Sequence, residues 1–293
     1  MRVCTFCGQR FASNDWQCPR CGWAPLIRKG FISFLNEDPL SGESFDSEYF
    51  ARLHHLEKEN FWFQHRTRLI IRAIEEYFPY SKKILEIGCG TGLVLSEVGR
   101  SFSDVSLSGS DLFVEGLHFA KSRMPDAAFY QMDACCMPFE DEFDLILALD
   151  VLEHIEDDSR AINELCRSLK YGGGLIITVP QHQWLWSIQD EKAYHKRRYA
   201  RKELMDKLVK NGFQVIYATS FITLLLPVLV FSRIYGRIIT RTQYEYDPMR
   251  ELKIAYSLNR ILCIISKTEE LLLRAGISFP AGGSLLCIGR KGR

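Results

Sequence analysis

Three sets of residues have the types and spacing to do chemistry. Cys4, Cys7, Cys18 and Cys21 form two CxxC pairs, CTFCGQ and CPRCGW, each followed by glycine. A CxxC turn aims two thiolates at one ion, and two such turns complete a tetrahedral four-thiolate site. Zinc suits this ligand set best, and iron can use it. So short a segment cannot bury a core of its own, so the ion must supply much of its folding energy. A closed four-cysteine site has no open position for substrate, which points to a structural role. The second set is the turn in ILEIGCGTG, where Gly88, Gly90 and Gly92 follow an apolar run containing Glu86. Such a turn lets backbone approach a ligand and opens a helix whose first amides face it. Alone it is a weak signal, shared with dinucleotide enzymes and with turns that bind nothing. The third set lies downstream: His154 in VLEHI, then His182, Asp190, Glu191 and His195 in a polar, aromatic and basic stretch. These are candidates for proton transfer, although a lone histidine is more often a satisfied hydrogen-bonding group.

The elements that must position these groups alternate between strands and helices, as in an α/β sheet. VSLSGSD ends at Asp111, about where the second strand of a βαβ unit ends. AAFYQMDAC supplies a short strand followed by Asp133 and Ala134. Phe143 to Leu149 is a continuous apolar run, as a buried parallel strand requires, and it leads into Asp150, Glu153 and His154. LKYGGGLIITVP gives a glycine turn and a fifth strand that stops at Pro180. Phe213 to Ser220 reads as a sixth strand and GSLLCIGRKG as a seventh.

This order of motifs resembles the class I S-adenosylmethionine (SAM)-dependent methyltransferases, on Glu86, Gly88, Gly90, Thr91 and Gly92 first of all. The resemblance implies a Rossmann-like seven-stranded sheet with helices on both faces, here with a small N-terminal zinc ribbon. It implies that the three glycines admit the methionine part of the cofactor and that Glu86 orients its amino group or the loop. It further implies that Asp111 holds the ribose, that Asp133 and Ala134 read adenine, and that Asp150 closes the methionine side. A nucleotide-binding or degenerate doubly wound domain shares the same architecture. The catalytic candidates are His182 and His195, which follow the fifth strand, and His154, which can also be structural.

Composition narrows the class. The chain has 293 residues, 47% hydrophobic and 25% charged, ordinary for a globular protein with one sizeable α/β core. A net charge of +1 gives no whole-chain field to draw it to nucleic acid. The other six of its ten cysteines are scattered, the usage of a reducing compartment. The N-terminus has no long apolar core, so no secretory signal is read there and a cytoplasmic address is expected. Neither GxSxG nor HExxH occurs, and no GK[ST] follows the glycine turn.

The division read from the sequence is a ribbon over 1–25, a linker with N-terminal helices over 26–80, and the methyltransferase domain over 81–293. Pro39 and Gly42 mark the linker. FWFQHR resembles a segment that lies over the cofactor pocket in related subfamilies; core packing with a solvated Arg66 is the plainer reading. Trp184 and Trp186 can line an apolar acceptor pocket, and the six Lys and Arg between Lys192 and Lys202 can grip a phosphate or form a solvated helix start. An apolar helical insertion spans about 221–283, where the family usually has a short turn. Its segment 221–232 is too short to cross a bilayer and carries Pro227 as an interruption, and Arg233, Arg237 and Arg241 follow on one helix face. An apolar anchor beside a basic stripe suits an anionic membrane surface; a buried hairpin or dimer contact is the alternative. The C-terminal pattern is similar to that of bacterial envelope-glycan and glycolipid methyltransferases, and more loosely to quinone-ring enzymes. The expected function is methylation of a small-molecule acceptor, lipid-linked or amphipathic, in the cytoplasm or peripherally on the inner membrane face. The alternatives are an rRNA or tRNA methyltransferase that uses the ribbon for RNA contact, and a non-catalytic SAM-binding scaffold.

Overall fold

The computed structural model describes residues 1–13, 15–37, 47–239 and 253–292. Pro39, Gly42, Arg241 and the side chain of Arg237 lie outside the described residues. The N-terminal segment forms two short strands, β1 (Arg2–Val3) and β2 (Arg10–Phe11), then a hairpin of β3 (Leu26–Arg28) and β4 (Phe31–Ser33). Helices α1 (Ser47–Leu56) and α2 (Phe61–Tyr77) follow. The core then runs β5 (Lys83–Ile87), α3 (Leu93–Ser101), β6 (Ser106–Asp111), α4 (Val114–Arg123), β7 (Ala128–Gln131), β8 (Phe143–Leu149), α5 (Asp158–Ser168) and β9 (Leu169–Pro180). After short α6 (Ile188–Lys192) come α7 (Arg201–Lys210), β10 (Phe213–Phe221), α8 (Leu226–Ile239), α9 (Tyr256–Arg274) and β11 (Ser284–Lys291).

One sheet joins nine strands in the order β10-β11-β9-β8-β5-β6-β7-β4-β3. β9, β8, β5, β6 and β7 are parallel, and β11 lies antiparallel between β9 and β10. Successive side chains of the central strands point to opposite faces, so each strand feeds two cores. Leu85, Ile146 and Ile177 pack with α5 and α7 residues such as Ile162 and Leu208. Ile84, Leu145, Leu147 and Ile176 pack on the other face with α2, α3 and α9, through Ile70, Ile74, Val98 and Leu273. Chain order reverses at β5, whose neighbours β6 and β8 lead away to either side, and the crevice at their C-terminal ends is where such sheets bind ligands.

The sheet extends the expected seven strands by two, because residues 26–33 are not linker. LIRKGFIS folds into the β3–β4 hairpin across Lys29 and Gly30, both at positive φ. A two-residue turn with both residues left-handed matches the twist of the flanking strands, and Lys-Gly is a muted form of the usual Asn-Gly signal. β4 then pairs in parallel with β7 and covers what would be a bare sheet edge. Pro227 does not interrupt the apolar insert either. It occupies the first turn of α8, where its missing N–H has no partner to lose.

Candidate functional site

The glycine turn sits at the C-terminal end of β5 with Gly88, Gly90 and Gly92 all at positive φ. A Cβ on Gly88 would stand 2.5 Å from Val151, and one on Gly92 would stand 2.9 Å from the backbone of Ala120. At Gly90 the nearest atom would be 3.9 Å away, so that position faces open space where a ligand can come close. The Gly90 N–H donates to Asp111 (2.8 Å), and the second Asp111 oxygen accepts from the Phe113 N–H (3.0 Å). Each oxygen keeps a lone pair for a further donor such as a ribose hydroxyl. Burial pushes the Asp111 carboxyl up, and those backbone donors hold it back. Glu86 is buried, and one of its oxygens has no partner. Burial pushes it up to about 8, against the pull of Arg66. A cofactor ammonium is the kind of group that an orphaned buried carboxylate would accept. Asp133 and Ala134 stand at the end of β7, where Asp133 accepts from the Cys135 N–H (2.8 Å).

Glu86, Gly88, Gly90, Asp111, Asp133 and Ala134 line one wall of a cavity of about 880 Å³, whereas Gly92 packs closely on α4 and does not line it. Helices α1 and α2 roof it. Arg66 donates to Asp150 and lies against the rings of Trp62 and Phe63, 4.6 and 5.5 Å from their centroids. The plainer expectation of a solvated Arg66 is therefore replaced by a guanidinium over the pocket. The roof also brings in Tyr49, Phe50, Leu53 and Glu57, which sequence reasoning missed. Glu57, just past α1, accepts from the Thr91 hydroxyl (2.5 Å) and from Arg123 (2.6 Å), tying the end of that helix to the glycine turn and to α4. The only sequence signal was a helical period with a buried acid in it, which does not say what the acid faces.

The opposite wall is built from the turn after β8 and the segment after β9. A 3-10 turn, Leu152–His154, carries Glu153 and His154 into the cavity. Glu153 is buried with no partner for either carboxylate oxygen, and burial and the nearby Asp150 charge push its pKa up. Burial and His195 push His154 down to about 3. His195 Nδ1 lies 2.9 Å from Asp190, which also accepts from Arg198 (2.7 Å). Burial works against ionising Asp190, but the His195 and Arg198 bonds hold it down to about 2, so it can only accept and His195 Nδ1 must donate. The Nε2 lone pair of His195 is left for the cavity, where His195 stands with its ring 4.8 Å from that of His154.

His182, Trp184 and Trp186 do not line this cavity. A short turn, Gln183–Leu185, sends Leu185 into the core, while Trp184 faces out and stacks on His182. Half of the basic run is engaged in holding the fold: Arg197 pairs with Asp158, Arg198 with Asp190, and Arg201 with backbone carbonyls, while Lys202 makes an exposed pair with Asp206. Only Lys196 and Arg198 of that run reach the cavity.

The insert closes the far end through Ile222, Leu229, Arg233 and Ile254. Ile222 is a β-branched residue at φ 57°, a conformation that costs about 1–3 kcal/mol and needs outside support. Glu269 of α9 provides it by accepting from the N–H groups of Ile222, Thr223 and Leu224 at 2.6–2.9 Å. His65 of α2, fully buried, links Glu269 (3.0 Å) to Glu270 (2.8 Å), so the insert is bolted to the roof. Burial opposes protonation of His65, but the two carboxylates outweigh it and raise its pKa.

At the N-terminus the four ribbon thiols converge, with Cys4–Cys21 and Cys7–Cys18 at 3.7 and 3.6 Å. A tetrahedron with zinc–sulfur bonds of about 2.3 Å has edges of about 3.8 Å. The donor set thus fits a zinc ion. The ribbon lies against its own sheet: Trp16 packs on Phe34, Tyr130 and Phe139, and the Val3 N–H donates to Pro138.

A final strand slotted antiparallel between the fifth and sixth core strands separates this sheet from an ordinary dinucleotide fold and gives it the strand order of the class I methyltransferase fold. Residues 85–177 match the family described as Methyltransferase domain. The chain is 30% identical to phthiotriol/phenolphthiotriol dimycocerosates methyltransferase 1 of Mycobacterium ulcerans, over 53% of this chain and 58% of that one. It is 30% identical to a ubiquinone biosynthesis O-methyltransferase of Psychrobacter cryohalolentis, over 33% of this chain and 39% of that one. The structure of phosphoethanolamine N-methyltransferase 2 of Haemonchus contortus in complex with S-adenosyl-L-methionine superposes with a TM-score of 0.58 at 18% identity, over 87% of this chain and 59% of that one, a likeness of fold. The chain thus spans about 40–60% of the length of these three proteins.

Proposed function

We propose that the protein is a SAM-dependent methyltransferase acting on a lipid-linked or amphipathic small acceptor, of the envelope-glycan, glycolipid or quinone kind, at a membrane surface. The observation that carries this reading is one cavity with two unlike ends. The glycine turn, Asp111 and Glu86 suit the cofactor; the far end is lined by an apolar insert that exposes apolar side chains on its outer side among the described residues. Val228 and Ile264 are each 62% exposed, and Ile234 and Ile261 are more than half exposed. Apolar surface of this kind marks a contact site. No helix among the described residues is long and apolar enough to cross a membrane, so the contact proposed is peripheral. Relatives named for lipid and quinone acceptors support the same class.

SAM supplies an activated methyl group, and the chain's own residues bind and orient. Gly88 and Gly90 admit the methionine part while Gly92 lets α4 pack close to the turn, Asp111 takes the ribose hydroxyls, Asp133 and Ala134 face adenine, and Asp150 is held by Arg66 at the methionine side. Asp190 fixes His195 so that Nε2 can take the acceptor's proton or hold an ion. Zinc in the ribbon would be structural. The RNA alternative would rest on the ribbon, whose Trp16 packs on the sheet edge while Phe6 stays exposed. The test is calorimetric titration with SAM, then methyl transfer from labelled SAM to lipid extracts presented in vesicles. Transfer to RNA and not to lipid would overturn the acceptor class; no SAM binding by the folded protein would overturn the enzyme.

A further inference from the structure

We propose that Glu153, His154 and His195 form a second metal site, for a divalent first-row cation, at the acceptor end of the cavity. One ligand atom from each lies within 4.8 Å of the others. The three come from two segments, the turn after β8 and the loop after α6, locked together where the Lys196 N–H donates to the Glu153 carbonyl (2.6 Å). Glu153 is 1% exposed, and both its oxygens lack a partner, an expensive state for a buried carboxylate unless a cation completes it. His195 is already oriented: its Nδ1 donates to Asp190, which leaves Nε2 as the ligand, the carboxylate–histidine arrangement common behind metal-binding imidazoles. Around the site three carboxylates (Asp150, Glu153, Asp190) face two guanidiniums (Arg66, Arg198), each pairing with one of the first and third, so Glu153 is the charge left for the ion.

Two imidazoles and one carboxylate suit zinc and its neighbours, and three protein ligands leave a position open, unlike the closed ribbon. That position faces the cavity, where an acceptor hydroxyl can occupy it. The ion would make that hydroxyl more acidic. Its proton leaves to solvent, its oxygen supplies the electron pair of the new bond to the methyl carbon, and the carbon–sulfur pair returns to sulfur. This step rests on the methyl-transfer reading and assigns the acceptor atom as oxygen; the metal site itself does not rest on it.

The test is titration of the metal-stripped full chain with Co²⁺, read by absorption. Thiolate ligation in the ribbon gives intense sulfur-to-cobalt bands; a nitrogen–oxygen site gives only weak ligand-field bands. The expected result is about two equivalents bound, one of each kind, with the weak class lost in Glu153→Leu and in His195→Asn while the thiolate bands persist as a sign of folding. About one equivalent in the unaltered protein, or a weak class that survives both substitutions, would overturn the site. SAM titration of the same samples separates the two ideas: a second cobalt class without SAM binding keeps the metal and sinks methyl transfer.

Discussion

At the cofactor end, Glu86, the glycine turn and Asp111 belong to one stretch of β5, α3 and β6, and backbone hydrogen bonds hold them. At the acceptor end, Glu153, His195 and Ile222 come from three separate segments, and charged side chains hold two of them: Asp190 fixes His195 and Glu269 fixes Ile222. The first end is a property of the fold, and the second is assembled on top of it. Single side chains should therefore matter to different things at the two ends, affinity for the cofactor at one and architecture or rate at the other.

The largest effect should come from Glu269→Ala. It removes a carboxylate that takes three backbone N–H groups and His65, and leaves them buried. Breaking a buried charged network costs about 3–5 kcal/mol, which lowers Tm by roughly 6–20 °C. Hydrogen exchange should rise first at 222–224 while the amides of β5 and the glycine turn stay protected. Equal loss of protection at both places would break the division between them. Next comes Asp111→Ala. Loss of the bonds proposed from this buried carboxylate to both ribose hydroxyls should weaken SAM about 100-fold, or ~2.7 kcal/mol. Asp111→Asn keeps part of the turn's support and should weaken it less. Unchanged affinity in both would remove Asp111 from the cofactor site.

The same contrast explains what was legible in the sequence. Gly88 to Gly92, Asp111 and the apolar run Phe143–Leu149 are read from local pattern, because a strand, its turn and the next helix are contiguous. The seventh strand was legible for the same reason. The bolt of His65 to Glu269 and Glu270 was not, since nothing in either helix says which buried acid meets which buried base. Trp184 and Trp186 looked like pocket residues because of where they fall after β9, yet one turn of 3-10 helix aims them away. The β3–β4 hairpin was hidden behind a Lys-Gly turn and the short alternation of LIRKGFIS. Arg66 could be placed over the pocket only through the resemblance of FWFQHR, beside the alternative of a solvated side chain, since its partner Asp150 lies on another element.

Two predictions sharpen the comparison. Asp190→Asn should slow methyl transfer about 10-fold or more, as loss of a group that orients a functional imidazole does, with SAM affinity changed less than about twofold. Equal losses in rate and affinity would make the His195 pair part of the cofactor end instead. At the cofactor end the expected signature is a proton. Glu86 is raised from 4.5 to about 8 in the free protein, so without ligand its contribution to stability is full below about pH 4.5 and is lost as pH rises to about 8. A cofactor ammonium beside it favours the ionised form and expels the proton. SAM affinity should therefore rise by up to about tenfold per pH unit below 8, then level. Titration in buffers of different ionisation enthalpy should register that proton near pH 7, and Glu86→Gln should abolish it.

The smallest effect belongs to His182, and it tests where the acceptor end stops. Its position after β9 made it a candidate base, but it does not line the cavity, its Nε2 is buried without a partner, and burial lowers its pKa. Its backbone sits at φ 64° and ψ 111°, and among residues at positive φ asparagine recurs more often than alanine. His182→Asn is therefore the cleaner substitution. Stability should stay within about 0.5 kcal/mol and the methyl-transfer rate within about twofold. A tenfold loss of rate with stability intact would return His182 to the chemistry, and would mean that the acceptor wall reaches past Gln181 to the outward-facing stack of His182 on Trp184.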